Sequence, residues 1–331
     1  MKLNALFCDG MVLAANRPIR VFGEGQGTVA VRFLQYEARM TSTKDRWCLT
    51  LPAIGHGGPY QMEIELNGVR TVLQDVYVGE VLLLHGQSNM KFQLRESNYP
   101  IASYQTCKRL RVFTVDNEYV DLKGLSQQDG WVSCDEETAG CFSAIGYHVG
   151  LQIASERDCA VGLISCSVGA SVIESWMPKG TFADMGIDLS CDQIHFDHRY
   201  YPFNGEGFLY DRLLPLLVPY SLSCVIWYQG ESNATPDEGA LYDKMLTRLI
   251  AERRRDFEDE NLPFVIIQLA DCDNRAGRGW TLVQEAQMRV AQSVPYVKAV
   301  VCRDVCETNH IHPPTKHLLA KRVAEAILEK N

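Results

Sequence analysis

The sequence lacks the patterns that mark membrane proteins and nucleic-acid-binding proteins. Its 331 residues contain no apolar stretch close to the roughly 18 residues that a membrane span needs. Lysine and arginine form no basic stripe, and the net charge is −9, so neither a membrane nor a nucleic acid is an expected partner. Asp9 and Gly10 interrupt the N-terminal apolar residues before they reach signal-peptide length. We therefore expect a cytoplasmic protein, or a secreted one if a leader was removed; the sequence does not indicate an oligomeric state.

The cysteines form no C-x-x-C motif, although the chain contains 12 of them. Several lie within apolar segments, where a cysteine packs as a small hydrophobic side chain: Cys48, Cys166, Cys224 and Cys302. This scatter favours free thiols in a reducing compartment over a disulfide framework.

Two looser groups of cysteine and histidine look like metal ligands. One consists of Cys302, Cys306, His310 and His312, and the other of Cys191, His195 and His198. Neither has the spacing of the common zinc sites, and both fall in predicted loops. We expect no metal and no other cofactor. We interpret His195 and His198 as solvated loop residues, with contact to a sugar as the second interpretation.

The pattern of apolar residues changes near residue 76. Before it, short alternating segments separated by glycine-bearing turns predict antiparallel strands, for example at 19–22, 29–33 and 60–66. After it, short apolar runs alternate with longer segments of helical periodicity. The predicted strands there are 81–85, 109–115, 161–167, 223–228, 264–269 and 297–302, and the predicted helices are 140–157, 205–218, 237–257, 279–293 and 314–329.

These patterns predict an α/β protein with two domains. Residues 1–76 are expected to form a small β-sandwich-like antiparallel domain. Residues 77–331 are expected to form a three-layer α/β/α domain of flavodoxin-like type, because buried apolar strands alternating with helices indicate a parallel sheet covered on both faces. That sheet is expected to have five to six strands.

Polar residues follow the ends of four predicted strands. The segments are HGQSN at 85–89, SVGAS at 167–171, QGESN at 229–233 and NHIHP at 309–313. In open parallel sheets, active sites gather at the carboxyl ends of the strands. We therefore expect these four segments to meet.

Together these segments contain the parts of an acyl-transfer site. A serine hydroxyl such as that of Ser88 needs a base, and an imidazole such as that of His312 is the usual one. Gly169 has no side chain, so its backbone N–H can approach a substrate closely, as can that of Ser88. Gln229 or Asn233 can add a side-chain N–H to the same oxyanion hole.

Each residue also has a purely structural interpretation. A serine after a strand is commonly a helix N-cap, and a histidine before proline commonly lies in a turn. Glu231 can simply hold loops together, and the G-x-S-x-G motif is absent. A metal-dependent hydrolase and a carbohydrate-binding protein without activity therefore stay open as alternatives.

Three sequence blocks resemble the sialate O-acetylesterase family, serine esterases of the SGNH hydrolase superfamily. The segment VGEVLLLHGQSNM at 78–90 resembles the GQSNM block of that family, and WYQGESNA at 227–234 resembles a second block. The segment IHP at 311–313, followed by Lys316, is similar to the closing block. The likeness extends over almost the whole chain, including the small N-terminal β-domain.

The resemblance implies an esterase that removes O-acetyl groups from a free or oligosaccharide-borne sugar. The implied substrate is 9-O-acetylated sialic acid, with acetylated xylan or another acetylated sugar as the alternative. Ser88 is implied as the nucleophile and His312 as the base. The implied oxyanion hole consists of the Ser88 and Gly169 N–H groups, completed by Gln229 or, as second choice, Asn233. The family implies no cofactor.

The sequence departs from the family pattern at two places. It has Gly169-Ala170 where the family often has two glycines. It also lacks the acid that commonly lies two or three residues before the base, since those positions hold His310 and Asn309. The candidates to orient His312 are therefore a backbone carbonyl or the side chains of Asn309, Glu307 and Asp304.

Other residues of the blocks are expected to support the site. Gln87 and Asn89 flank Ser88, and Glu231 lies in the second block. A sialate carboxylate needs a cation, for which the loop-like stretches offer Arg95, Arg275 and Arg278.

Overall fold

The computed structural model describes residues 1–115, 127–187 and 201–329. The strands are β1 (Lys2–Leu3), β2 (Val12–Ala14), β3 (Ile19–Glu24), β4 (Gly27–Phe33), β5 (Tyr36–Ser42), β6 (Arg46–Leu51), β7 (Gly57–Leu66), β8 (Val69–Gly86), β9 (Cys107–Thr114), β10 (Trp131–Cys134), β11 (Val161–Ser167), β12 (Cys224–Tyr228), β13 (Phe264–Ile267) and β14 (Val297–Val300). The helices are α1 (Ser88–Lys91), α2 (Ala144–Glu156), α3 (Thr181–Asp184), α4 (Phe208–Leu213), α5 (Pro236–Asp256), α6 (Arg278–Ser293) and α7 (His317–Leu328). Every strand and helix predicted after residue 76 has a counterpart among them.

Within the described residues, the large sheet has 11 strands and is mixed. Along its main path the order is β10-β9-β11-β8-β12-β13-β14, in which β10 is antiparallel to β9 and the other neighbours are parallel. Strands β2, β4, β5 and β7 complete this sheet, and β1, β3 and β6 form a separate antiparallel sheet. The predicted α/β class with an N-terminal antiparallel part is confirmed. The three-layer arrangement around a parallel sheet stays a prediction.

Strand β8 belongs to both parts of the chain. It is 18 residues long, and its first half pairs antiparallel with β7 while its second half pairs parallel with β11 and β12. The first half of β8 contains several exposed side chains, whereas Val78–Gly86 are all buried, as expected for a strand covered on both faces. The strand therefore runs without a break through residue 76. The division into two domains at that residue stays a prediction.

Three strand ends meet at Gly86. In the register of the sheet, Gly86 lies opposite Ser167 of β11 and Tyr228 of β12. Because β8, β11 and β12 are parallel, the segments that follow them leave the sheet at the same edge. The sheet thus brings three of the four predicted polar segments together.

The long helix α5 shows how local sequence fixes the elements behind this edge. Thr235 caps it by accepting a hydrogen bond from the Glu238 N–H at 3.3 Å, and Pro236 occupies the first turn. Arginines fill its last turn, where positive charge complements the helix dipole. In the described ranges, no helix is both long and apolar enough to cross a membrane.

Candidate active site

Ser88 is the first residue of α1, directly beyond the carboxyl end of β8. The N-cap position is Gln87, and no side chain makes a capping hydrogen bond there. The interpretation of Ser88 as a helix cap is therefore wrong. Its Oγ lies 2.7 Å from Nε2 of His312, which is 224 positions away along the chain.

His312 lies half-buried in the loop between β14 and α7. Burial lowers the pKa of its imidazole below the ordinary value of 6.5, and the positive charge of Lys316 lowers it further, while Glu96 acts in the opposite direction. The imidazole is therefore neutral at neutral pH. In the tautomer that leaves Nε2 unprotonated, it accepts the hydrogen bond that the Ser88 hydroxyl donates.

Gly169 lies against Ser88. A Cβ added to Gly169 would meet Cβ of Ser88 at 3.7 Å, so the absence of a side chain leaves room beside the hydroxyl. The N–H of Ser88 is the first of helix α1 and has no acceptor within the helix. Gly169 and Ser88 thus lie beside each other on neighbouring segments.

Gln229 does not offer a free N–H to a substrate. Its side chain is fully buried, and its Nε2 donates to the Ser171 carbonyl at 3.1 Å and to Oδ1 of Asn233 at 2.7 Å. Its Oε1 accepts from the Tyr242 hydroxyl at 2.6 Å. The sequence shows an amide at a strand end, but it does not show the buried groups that form hydrogen bonds with this amide.

Asn233 is occupied in the same way. Its Nδ2 donates to Glu174 at 2.9 Å and to Glu238 at 3.1 Å, and its Oδ1 accepts from the Ile173 N–H at 3.0 Å. These contacts tie the start of α5 to the 3₁₀ helix Ile173–Trp176. Of the predicted oxyanion donors, Gly169 lies beside Ser88, whereas the side-chain amides of Gln229 and Asn233 are engaged elsewhere.

The residues predicted to support the site connect the first sequence block, around Ser88, with the second block at 227–234. Oε1 of Gln87 accepts from the Gly230 and Ser232 N–H groups, each at 3.4 Å. Nδ2 of Asn89 donates to Oε1 of Glu231 at 2.5 Å. Burial raises the pKa of the Glu231 carboxyl, and the hydrogen bond from Asn89 opposes this.

The comparison with known proteins now decides the family. Residues 78–329 match the family described as carbohydrate esterase, sialic acid-specific acetylesterase. The chain belongs to this family.

Relatives of this esterase carry corresponding names. Sialate O-acetylesterases of Rattus norvegicus and Homo sapiens are each 26% identical to it; they cover 94% and 91% of this chain, which spans 70% and 65% of their own lengths. The crystal structure of a carbohydrate acetylesterase from Xanthomonas citri superposes with a TM-score of 0.84 at 28% identity, covering 98% of this chain and 74% of that one. The expected family and the expected class of enzyme, a carbohydrate esterase, are confirmed.

The side chains proposed to orient the base of the esterase are engaged elsewhere or exposed. Asp304 forms an ion pair with Arg322 at 2.6 Å, and Glu307 accepts from the Thr315 N–H at 3.1 Å. Asn309 is exposed. Within the described ranges, none of the three hydrogen-bonds to His312.

The structure describes only one of the two cysteine and histidine groups that look like metal ligands in the sequence. Among the residues that the structure describes, no three His, Cys, Asp or Glu side chains converge where a metal ion could bind. Cys302 instead donates to the Gln268 carbonyl at 3.0 Å, and His312 bonds to Ser88. The second group, Cys191, His195 and His198, lies outside the described residues.

The three candidate arginines are exposed. Arg95 lies in the 3₁₀ helix Leu94–Glu96, shortly after α1, and Arg278 begins α6. Arg275 ends the 3₁₀ helix Asp273–Arg275, whose first residue donates its N–H to the Thr308 carbonyl at 2.7 Å. Arg275 thus lies on the segment beside the loop that carries His312.

Lys316 was not among the residues singled out for a role, although it stands in the closing block. It is fully buried, and its Nζ donates to Oδ1 of Asn89 at 2.6 Å. Burial lowers the pKa of this ammonium to about 8, against the raising effect of nearby acidic groups. No periodicity distinguishes a buried lysine from an exposed one at the start of a helix, so the pattern could not have identified it.

Proposed function

We propose that this esterase hydrolyses O-acetyl esters of sugars with Ser88 as nucleophile and His312 as general base. The observation that carries the proposal is the 2.7 Å hydrogen bond between Ser88 Oγ and His312 Nε2. A serine becomes a useful nucleophile when a neighbouring base takes its proton. Binding a sugar without cleaving it requires no such pair.

The proposed reaction has two halves. Ser88 Oγ attacks the acetyl carbonyl carbon while His312 accepts the hydroxyl proton, and the carbonyl oxygen becomes an oxyanion next to the Ser88 and Gly169 N–H groups. The ester C–O bond then breaks, the sugar oxygen takes the proton from His312, and an acetyl-serine remains. Water attacks this intermediate with His312 again as base, which releases acetate and restores the serine.

For the fold around this site we propose the SGNH type, a three-layer α/β/α arrangement over residues 77–331. The parallel pairing of β9, β11, β8, β12, β13 and β14 supports it, as does the position of Ser88 just beyond the end of β8.

As substrate we propose 9-O-acetylated sialic acid. The description of the matched family and the names of the rat and human relatives support this choice. A sialate carries a carboxylate at neutral pH, for which exposed Arg95 and Arg275 are the candidate partners. Acetylated xylan has no such group, so an arginine in the site would distinguish the two substrates by their charge.

A panel of acetate-release assays tests the substrate. We expect the highest kcat/KM with 9-O-acetylated sialic acid and a lower one with acetylated xylan. Arg275→Ala is expected to raise KM for the sialate and leave the value for xylan unchanged. A higher kcat/KM with xylan would contradict the sialate proposal while leaving the proposed chemistry of Ser88 intact.

Covalent labelling tests the nucleophile. A fluorophosphonate should label the folded protein once, on the peptide that contains Ser88, because the reagent requires an activated serine. A folded protein that is not labelled, or is labelled on another serine, would contradict the mechanism and favour a carbohydrate-binding protein without activity.

The pH dependence of turnover follows from the environment of His312. Only the neutral imidazole can accept the Ser88 proton, so kcat/KM falls as the pH drops through the pKa of His312. Because burial and Lys316 lower that pKa, we expect the midpoint of the acid limb below pH 6.5. Initial rates with a chromogenic acetate ester across the acid range measure it, and a midpoint above 6.5 would contradict the described environment.

A further inference from the structure

Lys316 is a buried cation a short distance from the reacting pair. Lysine is almost never fully buried unless it is paired, yet this side chain has 0% exposure. Its Nζ donates to Asn89 Oδ1 and lies 5.1 Å and 5.4 Å from the ring centroids of Phe92 and Tyr228. The two aromatic rings and the amide oxygen thus form a buried binding site for the ammonium.

Asn89 connects the chain next to the nucleophile with the chain next to the base. It directly follows Ser88. Its Nδ2 donates, at 2.9 Å, to the carbonyl oxygen of Ile311, which is the residue before His312. The same nitrogen donates to Oε1 of Glu231. One amide therefore fixes the separation of the two segments that carry the reacting side chains.

Lys316 determines which way this amide points. An ammonium can only donate hydrogen bonds, so Asn89 must turn its oxygen towards Lys316. The NH₂ group then faces the Ile311 carbonyl, which only accepts, and Oε1 of Glu231, to which it also donates. A flipped amide would place a donor against the ammonium and an oxygen against two acceptors.

From this geometry we infer that Lys316 is a positioning residue, which acts through Asn89 and the Ile311 carbonyl to hold His312 within hydrogen-bonding distance of Ser88. The inference rests on the proposed function of that pair. It also explains how His312 is held in place although, in the described part of the chain, Asp304, Glu307 and Asn309 do not bond to it. The imidazole is instead held through the backbone of its own loop.

The ammonium also acts on His312 through its charge. Burial is the larger cause of the low pKa of His312, Lys316 is the second cause, and Glu96 opposes both. The acidic groups that act on Lys316 itself are Cys306, Glu231, Cys302 and Glu307. Loss of the ammonium should therefore raise the pKa of His312 and move the acid limb of kcat/KM to higher pH.

Lys316→Met tests both effects, since it removes the donor and the charge with little change in volume. We expect kcat for a chromogenic acetate ester to fall about 10- to 100-fold, the size that a small misplacement of a reacting group produces, with a much smaller change in KM. We also expect the acid limb to move to higher pH. The matched control is Lys321→Met on the exposed face of α7, which should keep the wild-type kcat and limb.

A second variant separates positioning from simple stabilisation. Lys316→Met leaves the Glu231 carboxylate buried without its compensating charge, which lowers stability. Lys316→Met combined with Glu231→Gln removes both charges and keeps an oxygen acceptor for Asn89. We expect its Tm to return towards the wild-type value while kcat stays low and the limb stays shifted. Recovery of kcat together with Tm would show that Lys316 only stabilises the fold and would overturn the inference.

Fluorophosphonate labelling distinguishes failure of this inference from failure of the proposed function. An unlabelled wild-type protein would refute the role of Ser88 itself. A labelled wild type with a double variant that reacts at the wild-type rate would refute only the role of Lys316. We expect labelling of the wild type at Ser88 and slower labelling of both Lys316 variants.

Discussion

Ser88→Ala is expected to lower kcat/KM for an acetate ester by about 10⁴- to 10⁶-fold, because alanine offers no oxygen to attack the carbonyl. The Ser88 hydroxyl bonds to His312 and caps no helix, so the fold does not depend on it. We therefore expect a Tm close to that of the wild type. Initial-rate kinetics and thermal unfolding of the same preparations measure both quantities.

Ser143→Ala is the matched control, because Ser143 is a true helix cap. Its Oγ accepts from the Gly146 N–H at 3.2 Å at the start of α2. Its Oγ also donates to the Met90 carbonyl of α1 at 2.6 Å. Its loss should therefore cost about 1 to 3 kcal/mol of unfolding free energy and leave turnover far above that of Ser88→Ala. His312→Ala and the Ser88/His312 double variant should each match Ser88→Ala, because the pair acts as a unit. Wild-type turnover by Ser88→Ala would contradict the mechanism.

The second large effect is expected from Gly86→Ala, at the junction of the three strand ends. Gly86 has a φ of +129°, which other residues rarely adopt, and a Cβ there would lie 2.2 Å from the backbone oxygen of Tyr228. Strand β12 cannot move away without losing its pairing with β8. We expect a loss of about 2 to 6 kcal/mol of unfolding free energy and a loss of turnover, because Ser88 lies two residues further on. Denaturant unfolding and kinetics check both.

Gly68→Ala separates the backbone conformation from the close contact. Gly68 has a φ of +81°, but nothing lies within 4 Å of a Cβ added there. This control should cost about 1 to 2 kcal/mol and leave kcat unchanged. Equal losses in the two variants would show that the contact with Tyr228 contributes nothing.

The strands of the C-terminal part could be predicted because each is a short apolar run with polar residues beyond its end. The prediction of 161–167 agrees with β11, and that of 223–228 differs from β12 by one residue. The full length of β8 could not be predicted, since its first half mixes polar and apolar residues and its second half contains an apolar run at 81–84. A change in the residue pattern looks like a boundary, although here one strand runs from a partly exposed region of the sheet into a buried region of the same sheet.

The strand ends predicted that Ser88 and His312 lie at one edge of the sheet, and the family resemblance implied that they pair, but neither could predict the state of the amides. That Gln229 and Asn233 lie near the edge follows from the end of β12. Their engagement depends on Glu174, Glu238 and Tyr242, which reach them from other elements. The role of Lys316 could not be predicted for the same reason, because whether a residue at the start of a helix is buried depends on the other elements that pack against it.

The continuity of β8 has a consequence for anyone who wishes to exchange parts between members of this family. A graft that joins a foreign N-terminal module at residue 76 would splice two proteins in the middle of a hydrogen-bonded strand, ten residues upstream of Gly86. A junction in the turn before Val69 would keep β8 whole, but it would take β7 and β8 from different parents, so the β7 residues that pair with β8 would have to be matched to it.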